Sequence, residues 1–318
     1  MKKLSAGDNS VKVAVNDGVH NPVDVTKTIT VPQPATVEPV ITVTTTNISY
    51  GDKAVISFTL KDTTGKPLSG TLNVTVGNQV KKVTVTNGVG SLTLTGLNAG
   101  TYPVVANYGD AVGTGDFNVA KNATKIIYAD MVTTAVDYYN DGRVGQYFTW
   151  KLVDANGNPM ANVPMQIGFN GVVYDKRNGI VTDKNGVAKL QINLMRVDLY
   201  TFAICFLGDE NHNASFVVAR ITVKAQTPSI AVPNKSYKAS AKTKTLTATF
   251  KSNKGTLIPN KKVTFTVNGK TYSAKTNSKG VATVKVSLNK KGTYKVTAKY
   301  AGDETYSSIT KTATLKLT

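Results

Sequence analysis

One cysteine, two histidines and one tryptophan are all that the 318 residues contain of those three types. The lone thiol, Cys205, cannot close an internal disulfide, so the fold must be held by packing and the redox compartment stays open. His20 and His212 stand at no catalytic spacing from Cys205, and no paired acid, nucleophile or metal set accompanies them. The sequence therefore argues against an enzyme and against any cofactor. Asp209-Glu210-Asn211-His212 matches no ligand spacing and reads as a hairpin loop, and Cys205 as a packed or half-exposed strand residue.

Long apolar runs are missing as well. Met1-Lys2-Lys3 looks like the start of a secretion signal, but Leu4-Ser5-Ala6-Gly7-Asp8 supplies no apolar stretch, and no segment is long enough to span a membrane. Charged residues make up only 18%, and no amphipathic helical period stands out. Thr, Val, Asn and Gly take the vacated share, a balance of β-branched strand formers and turn formers.

The dominant feature is a repeat of about 95 residues. A Gly-marked turn recurs at Leu60-Lys61-Asp62-Thr63-Thr64-Gly65, at Leu152-Val153-Asp154-Ala155-Asn156-Gly157 and at Phe250-Lys251-Ser252-Asn253-Lys254-Gly255. Before it, alternation places Ile56, Phe58, Leu60; Phe148, Trp150, Leu152; and Leu246, Ala248, Phe250 on one strand face, which should be core. Closing strands led by Tyr102, Tyr200 and Tyr294 keep the same period and end near Gly109-Asp110, Gly208-Asp209 and Gly302-Asp303. Asp183-Lys184-Asn185-Gly186 and Asn277-Ser278-Lys279-Gly280 read as hairpin turns before the penultimate core strand.

About seven short strands per unit, apolar on one face, indicate an all-β protein of tandem immunoglobulin-like β-sandwiches in an extended array. Tyr102, Tyr200 and Tyr294 fit tyrosine corners, each ring packed and each hydroxyl capping the loop before it. The expected divisions are 1–36, the last strands of an incomplete repeat plus linker; 37–120, first domain; 121–225, second; and 226–318, third. Linkers are expected at Pro32-Gln33-Pro34, around Ala120-Lys121-Asn122 and at Ala225-Gln226-Thr227-Pro228. The chain reads as a segment cut from a longer one.

The run from Gly292-Thr293-Tyr294 through Ala301-Gly302-Asp303-Glu304-Thr305-Tyr306-Ser307 resembles the closing strands of bacterial-type immunoglobulin-like repeats. Such repeats occur in large adhesin-like surface proteins of bacteria and methanogenic archaea. The second unit departs from the pattern, with Asp198-Leu199 for the Gly-Thr pair and His212-Asn213 where a Tyr belongs, and the first lacks the segment after Gly109-Asp110. The resemblance implies extracellular, non-enzymatic domains that extend or display something, and it transfers no binding residue.

Charge is distributed unevenly. Basic against acidic residues number 4 to 3 in residues 1–36, 5 to 5 in 37–120, 11 to 9 in 121–225 and 18 to 2 in 226–318, where every basic residue is lysine. Lysine is a hydrated point charge suited to diffuse attraction. Lys242, Lys244, Lys261, Lys262, Lys270, Lys275, Lys285, Lys295 and Lys299 are candidates for binding a polyanion such as an anionic cell-wall polymer, or a charged surface of a partner or membrane; a solvated face is the plainer alternative. Specific nucleic-acid recognition is not expected, since neither arginine clusters nor stacking motifs accompany the charge.

Tyr138-Tyr139 in a loop of the second domain is the candidate carbohydrate contact, its paired rings absent from the equivalent loops. Residues 4–31 hold two alternating strands, a candidate for self-association by strand exchange. The reading is a stalk or adhesion segment at the cell surface, with partners that include surface glycans or proteins; the alternative is an extracellular filament subunit joined through those N-terminal strands.

Overall fold

A computed structural model describes residues 3–33, 37–169, 172–174 and 179–318. Its residues cluster into two compact units, Met1–Lys121 and Asn122–Thr318. The linker expected at Pro32-Gln33-Pro34 runs past the described residues at position 34.

The first unit opens with a hairpin, β1 (Gly7–Val15) against β2 (Val23–Val31). Its register sets Val13 opposite Val25 and Val15 opposite Val23, so these side chains share one face with Val11 and Ile29. That face is open: Val13, Val15, Val23, Val25 and Ile29 are all exposed. A two-stranded ribbon of this kind is marginally stable alone.

Eight strands form the first sandwich: β3 (Pro39–Thr44), β4 (Ile48–Ser49), β5 (Ala54–Asp62), β6 (Gly70–Val76), β7 (Gln79–Val85), β8 (Val89–Leu94), β9 (Gly100–Tyr108) and β10 (Ala111–Ala120). They make a three-stranded sheet, β3-β5-β8, facing a five-stranded sheet, β4-β10-β9-β6-β7. The opening strand is split between the two, β3 antiparallel to β5 and β4 parallel to β10.

The second sandwich repeats this order in β11 (Thr124–Tyr128), β12 (Met131–Thr134), β13 (Tyr147–Asp154), β14 (Gln166–Phe169), β15 (Val172–Tyr174), β16 (Val187–Gln191), β17 (Asp198–Phe206) and β18 (Ser215–Lys224). A single helical turn, α1 (Tyr138–Asp141), lies between β12 and β13. The third sandwich comprises β19 (Ser229–Ala231), β20 (Lys235–Tyr237), β21 (Thr245–Lys251), β22 (Lys262–Val267), β23 (Lys270–Lys275), β24 (Val281–Lys285), β25 (Gly292–Tyr300) and β26 (Ile309–Leu317), again three strands against five.

The nine residues read as core from alternation on β5, β13 and β21 are all buried. Each Phe, Leu or Ile so placed contributes about 1.5–3 kcal/mol through removal of apolar surface from water. The turns at Asp183–Gly186 and Asn277–Gly280 close tightly, yet they do not make hairpins within a sheet. Asn277–Gly280 carries the chain from β23 in the five-stranded sheet to β24 in the three-stranded one. The reason lies in the glycine. The Phe250 N–H donates to the Gly280 carbonyl, and a Cβ on Gly280, whose φ is 66°, would come within 2.8 Å of the Phe250 oxygen. Gly186 with Leu152 and Gly88 with Leu60 repeat this bond. In the first sandwich the turn is the two-residue Asn87-Gly88, closed between Thr86 and Val89.

Candidate functional site

The second and third sandwiches meet through specific side chains, and that junction is the most constructed site in the chain. Its centre is Tyr306, in the loop between β25 and β26. The ring is fully buried, edge-on to Phe250 at 5.5 Å, and its hydroxyl donates to Asp137 Oδ2 at 2.9 Å. Asp137, just ahead of α1, also accepts from Asn140 Nδ2 at 2.9 Å. Across the same boundary Thr305 Oγ1 donates to the Met195 carbonyl at 2.9 Å, and the Val197 N–H donates to the Glu304 carbonyl at 2.9 Å. Arg196 Nε and Glu304 Oε2 form an ion pair at 3.0 Å.

Gln226, expected as linker, is buried and bonded on every side. Its N–H donates to the Thr305 carbonyl at 2.9 Å and its carbonyl accepts from the Ser307 N–H at 3.0 Å. Its side chain donates from Nε2 to the Ala135 carbonyl at 3.1 Å and accepts on Oε1 from the Asn253 N–H at 3.1 Å. One residue thus ties the loop of the third sandwich to the end of β12 in the second.

Ser252 completes the junction through a change of residue type. In the first two sandwiches this turn position is aspartate: Asp62 Oδ1 accepts from the Thr64 and Lys66 N–H groups, and Asp154 Oδ1 from those of Asn156 and Asn158. In the third, Ser252 Oγ takes over that role with Lys254 and Thr256, and it donates its own proton to Asp141 Oδ1 at 3.0 Å. A carboxylate there would face another carboxylate.

A cleft of about 580 Å3 opens beside this junction, bounded by α1 and by the Asn260–Lys261 and Asp303–Thr305 segments. Tyr139 stands at it with 82% of its surface exposed, edge-on to Tyr138 at 5.5 Å, while the Arg143 guanidinium lies 5.7 Å from the Tyr138 ring centre. On the far wall Lys261 Nζ bonds Asp303 Oδ2 at 2.7 Å and lies 4.6 Å from the Tyr306 ring centre. Burial alone would raise the Asp303 carboxyl. Lys261 and the N–H groups of Tyr306 and Thr305 outweigh that and hold it at about 2.

The candidate lysines do not form one site. Lys262, Lys275, Lys295 and Lys299 alternate with the inward-facing Val263, Ala274, Val296 and Ala298, so they share the outer face of the five-stranded sheet, with Lys262 directly opposite Lys275. Lys285 lies on the other sheet, Lys242 is exposed in the loop between β20 and β21, and Lys270 is exposed at the start of β23. Two depart from the surface reading. Lys261 is held by Asp303, and Lys244 is only 2% exposed, its Nζ donating to the Ala241 carbonyl at 2.7 Å and lying 3.4 Å from Asn289 Oδ1. A turn closed by the Ala241 N–H on the Lys238 carbonyl precedes it, and the lysine stem is buried while its ammonium is bonded.

Tyr102, Tyr200 and Tyr294 each donate their hydroxyl to the carbonyl four residues earlier, Asn98, Arg196 and Lys290, at 2.9, 3.1 and 2.8 Å. Cys205 is half-buried between Gln166 and Phe216, and burial pushes its thiol up, away from the reactive thiolate. Asp209 binds the N–H groups of Asn211 and His212 and the His212 ring. Among the described residues no group of acidic, His or Cys side chains is arranged to hold a metal, and no helix is long and apolar enough to cross a membrane.

Residues 231–318, the third sandwich, match the family of bacterial Ig-like domains (group 3). The resemblance read from the closing strands is thus the resemblance that a family model finds. The inverse autotransporter adhesin YeeJ of Escherichia coli (strain K12) is 26% identical over 265 residues, covering 76% of this chain and 10% of that protein. The chain therefore spans about a tenth of the length of this curated relative. Among solved structures, invasin, a bacterial integrin-binding protein, aligns over 89% of this chain and 60% of its own at 17% identity and a TM-score of 0.40. The titin I-band fragment I67–I69 aligns over 88% and 98% at 11% identity and a TM-score of 0.33.

Proposed function

We propose that this chain is a stalk and adhesion segment of a large, non-enzymatic cell-surface protein. The similarity to an inverse autotransporter adhesin and the group 3 match of the third sandwich support the surface-adhesin reading. In this reading the tandem sandwiches hold binding faces away from the cell, and the third presents its lysine face to an anionic wall polymer or partner surface.

One observation carries the lysine assignment. The third sandwich has only two carboxylates, Asp303 and Glu304, and both are engaged, by Lys261 and Arg196. Lys262 and Lys275, opposite each other on adjacent strands, then repel without a local counter-charge, and like charges so placed are destabilising. A bound polyanion relieves that repulsion and releases its own counterions. The test is retention of the intact chain on polyphosphate beads at low salt and at about 0.5 M salt. Retention should fall steeply with salt and be lost when Lys262, Lys275, Lys295 and Lys299 are changed together to Gln; retention unchanged by the four substitutions overturns the assignment.

A second reading, assembly into filaments by strand exchange, is favoured by the open apolar face of the β1–β2 hairpin. It requires the intact chain to form concentration-dependent oligomers in sedimentation, and a chain lacking residues 1–31 to stay monomeric. Monomers of both at high concentration remove this reading.

A further inference from the structure

The cleft between α1 and the β25–β26 loop is shaped for a ligand that the stalk reading does not call for. We infer that it binds a neutral, hydroxyl-rich glycan. Tyr139 presents a flat ring to solvent with 82% of its surface exposed, an arrangement that contributes nothing to the core. The ring is nevertheless held in place. Its helical turn is anchored at one end by Asp137, bonded to Tyr306, and at the other by Asp141, bonded to Ser252, so the third sandwich fixes the position of an aromatic residue of the second. An exposed ring on a rigid base is pre-organised for stacking against the apolar face of a sugar, and the ordering cost is met before the ligand arrives.

Apart from Met195 and Pro259, the rest of the lining is polar. Asn140 and Asn260 bring amides that both donate and accept, Lys261 brings an ammonium, and Asp303 and Glu304 bring carboxylates. Sugar hydroxyls donate and accept at once, so a mixed wall suits them better than it suits an apolar or purely ionic ligand. At about 580 Å3 the cleft falls within the range of roughly 300–1,000 Å3 typical of ligand sites, with room for a short oligosaccharide. Its charge decides between sugar classes. Asp137, Asp303 and Glu304 line the cleft, with Lys261 and Arg196 paired to the last two, so no lining cation is left unpaired to hold an acidic sugar, whereas the outer lysine face attracts anions. The two surfaces thus select different ligands and can be tested apart.

The intact chain, in about 0.5 M salt to screen the lysine face, is presented to glucose, galactose and N-acetylglucosamine oligomers beside sialylated and sulfated oligosaccharides. The best neutral binder is then titrated by calorimetry against the chain and its Tyr139→Ala variant. Binding confined to neutral sugars, about tenfold weaker in Tyr139→Ala, with magnetisation transfer from tyrosine ring protons to the bound sugar, is the expected result. Tyr139→Ala should melt at the wild-type temperature, since its ring is exposed. Absence of any neutral binder, preference for sialylated or sulfated ligands, or an affinity within about twofold in Tyr139→Ala overturns the inference.

Discussion

Tyr306 of the third sandwich donates its hydroxyl to Asp137 Oδ2 of the second at 2.9 Å, with both side chains buried. A bond of this kind stabilises the junction less by its own strength than by what its loss would leave behind. Tyr306→Phe keeps the ring packing on Phe250 but removes one of the two side-chain donors that reach Asp137. The variant should lose about 1–3 kcal/mol in urea unfolding monitored at the junction. Tyr306→Ala should lose more, because a fully buried aromatic side chain leaves a cavity.

Ser252 predicts a sharper effect. Restoring the aspartate that the other two sandwiches carry at this turn would set a second carboxyl against Asp141, whose Oδ2 is already buried without a hydrogen-bond partner among the described residues. Ser252→Asp should therefore weaken the junction by about 2 kcal/mol while leaving its own turn intact, since Asp supports that turn at positions 62 and 154. Inter-domain residual dipolar couplings should report loosened orientation, with amide shifts in β23 and β26, away from the substitution, unchanged.

Acid should loosen the loop that carries Tyr306. Asp303 lies at about 2 in the folded chain against 3.8 when free, so its ionised form is favoured by folding. Its contribution is fully present above about pH 4 and is lost as the pH falls from about 4 towards 2. Melting temperatures across that window should drop, and Lys261→Met should flatten the drop by removing the ammonium that holds Asp303 ionised. An unchanged slope in Lys261→Met would contradict the assignment.

Two lysines of one domain should behave oppositely. Lys244, buried and bonded to the Ala241 carbonyl, supports the fold, whereas Lys299 lies on the open sheet face. Lys244→Ala should lower the stability of the third sandwich by about 1–3 kcal/mol in thermal melts without altering polyanion retention. Lys299→Ala should leave the melt unchanged within about 0.5 kcal/mol and weaken retention at low salt.

These contrasts mark what the sequence made legible. Period-two alternation identified Ile56, Phe58, Leu60 and their counterparts as core because burial on one sheet face leaves a regular trace along the chain. The tyrosine ring and its hydroxyl are likewise a local pattern, four residues from donor to acceptor. The junction leaves no such trace. Gln226, Ser252 and Tyr306 meet Ala135, Asp141 and Asp137 across long sequence separations, and an isolated Gln in a linker or Ser in a turn looks ordinary. The signal was present only as a difference between repeats: Ser252 where Asp62 and Asp154 stand, and Tyr306 where the second unit has His212. Lys244 reads as surface charge for a related reason, since a lysine count records charge and not the direction of a side chain.

The loop that fastens the third sandwich onto the second occupies residues 301–308, whereas the equivalent link between β9 and β10 is the two-residue turn Gly109–Asp110. Neither length disturbs a core strand. The side chains that reach the second sandwich from the third are therefore carried by a segment that can be lengthened or trimmed without renegotiating the fold.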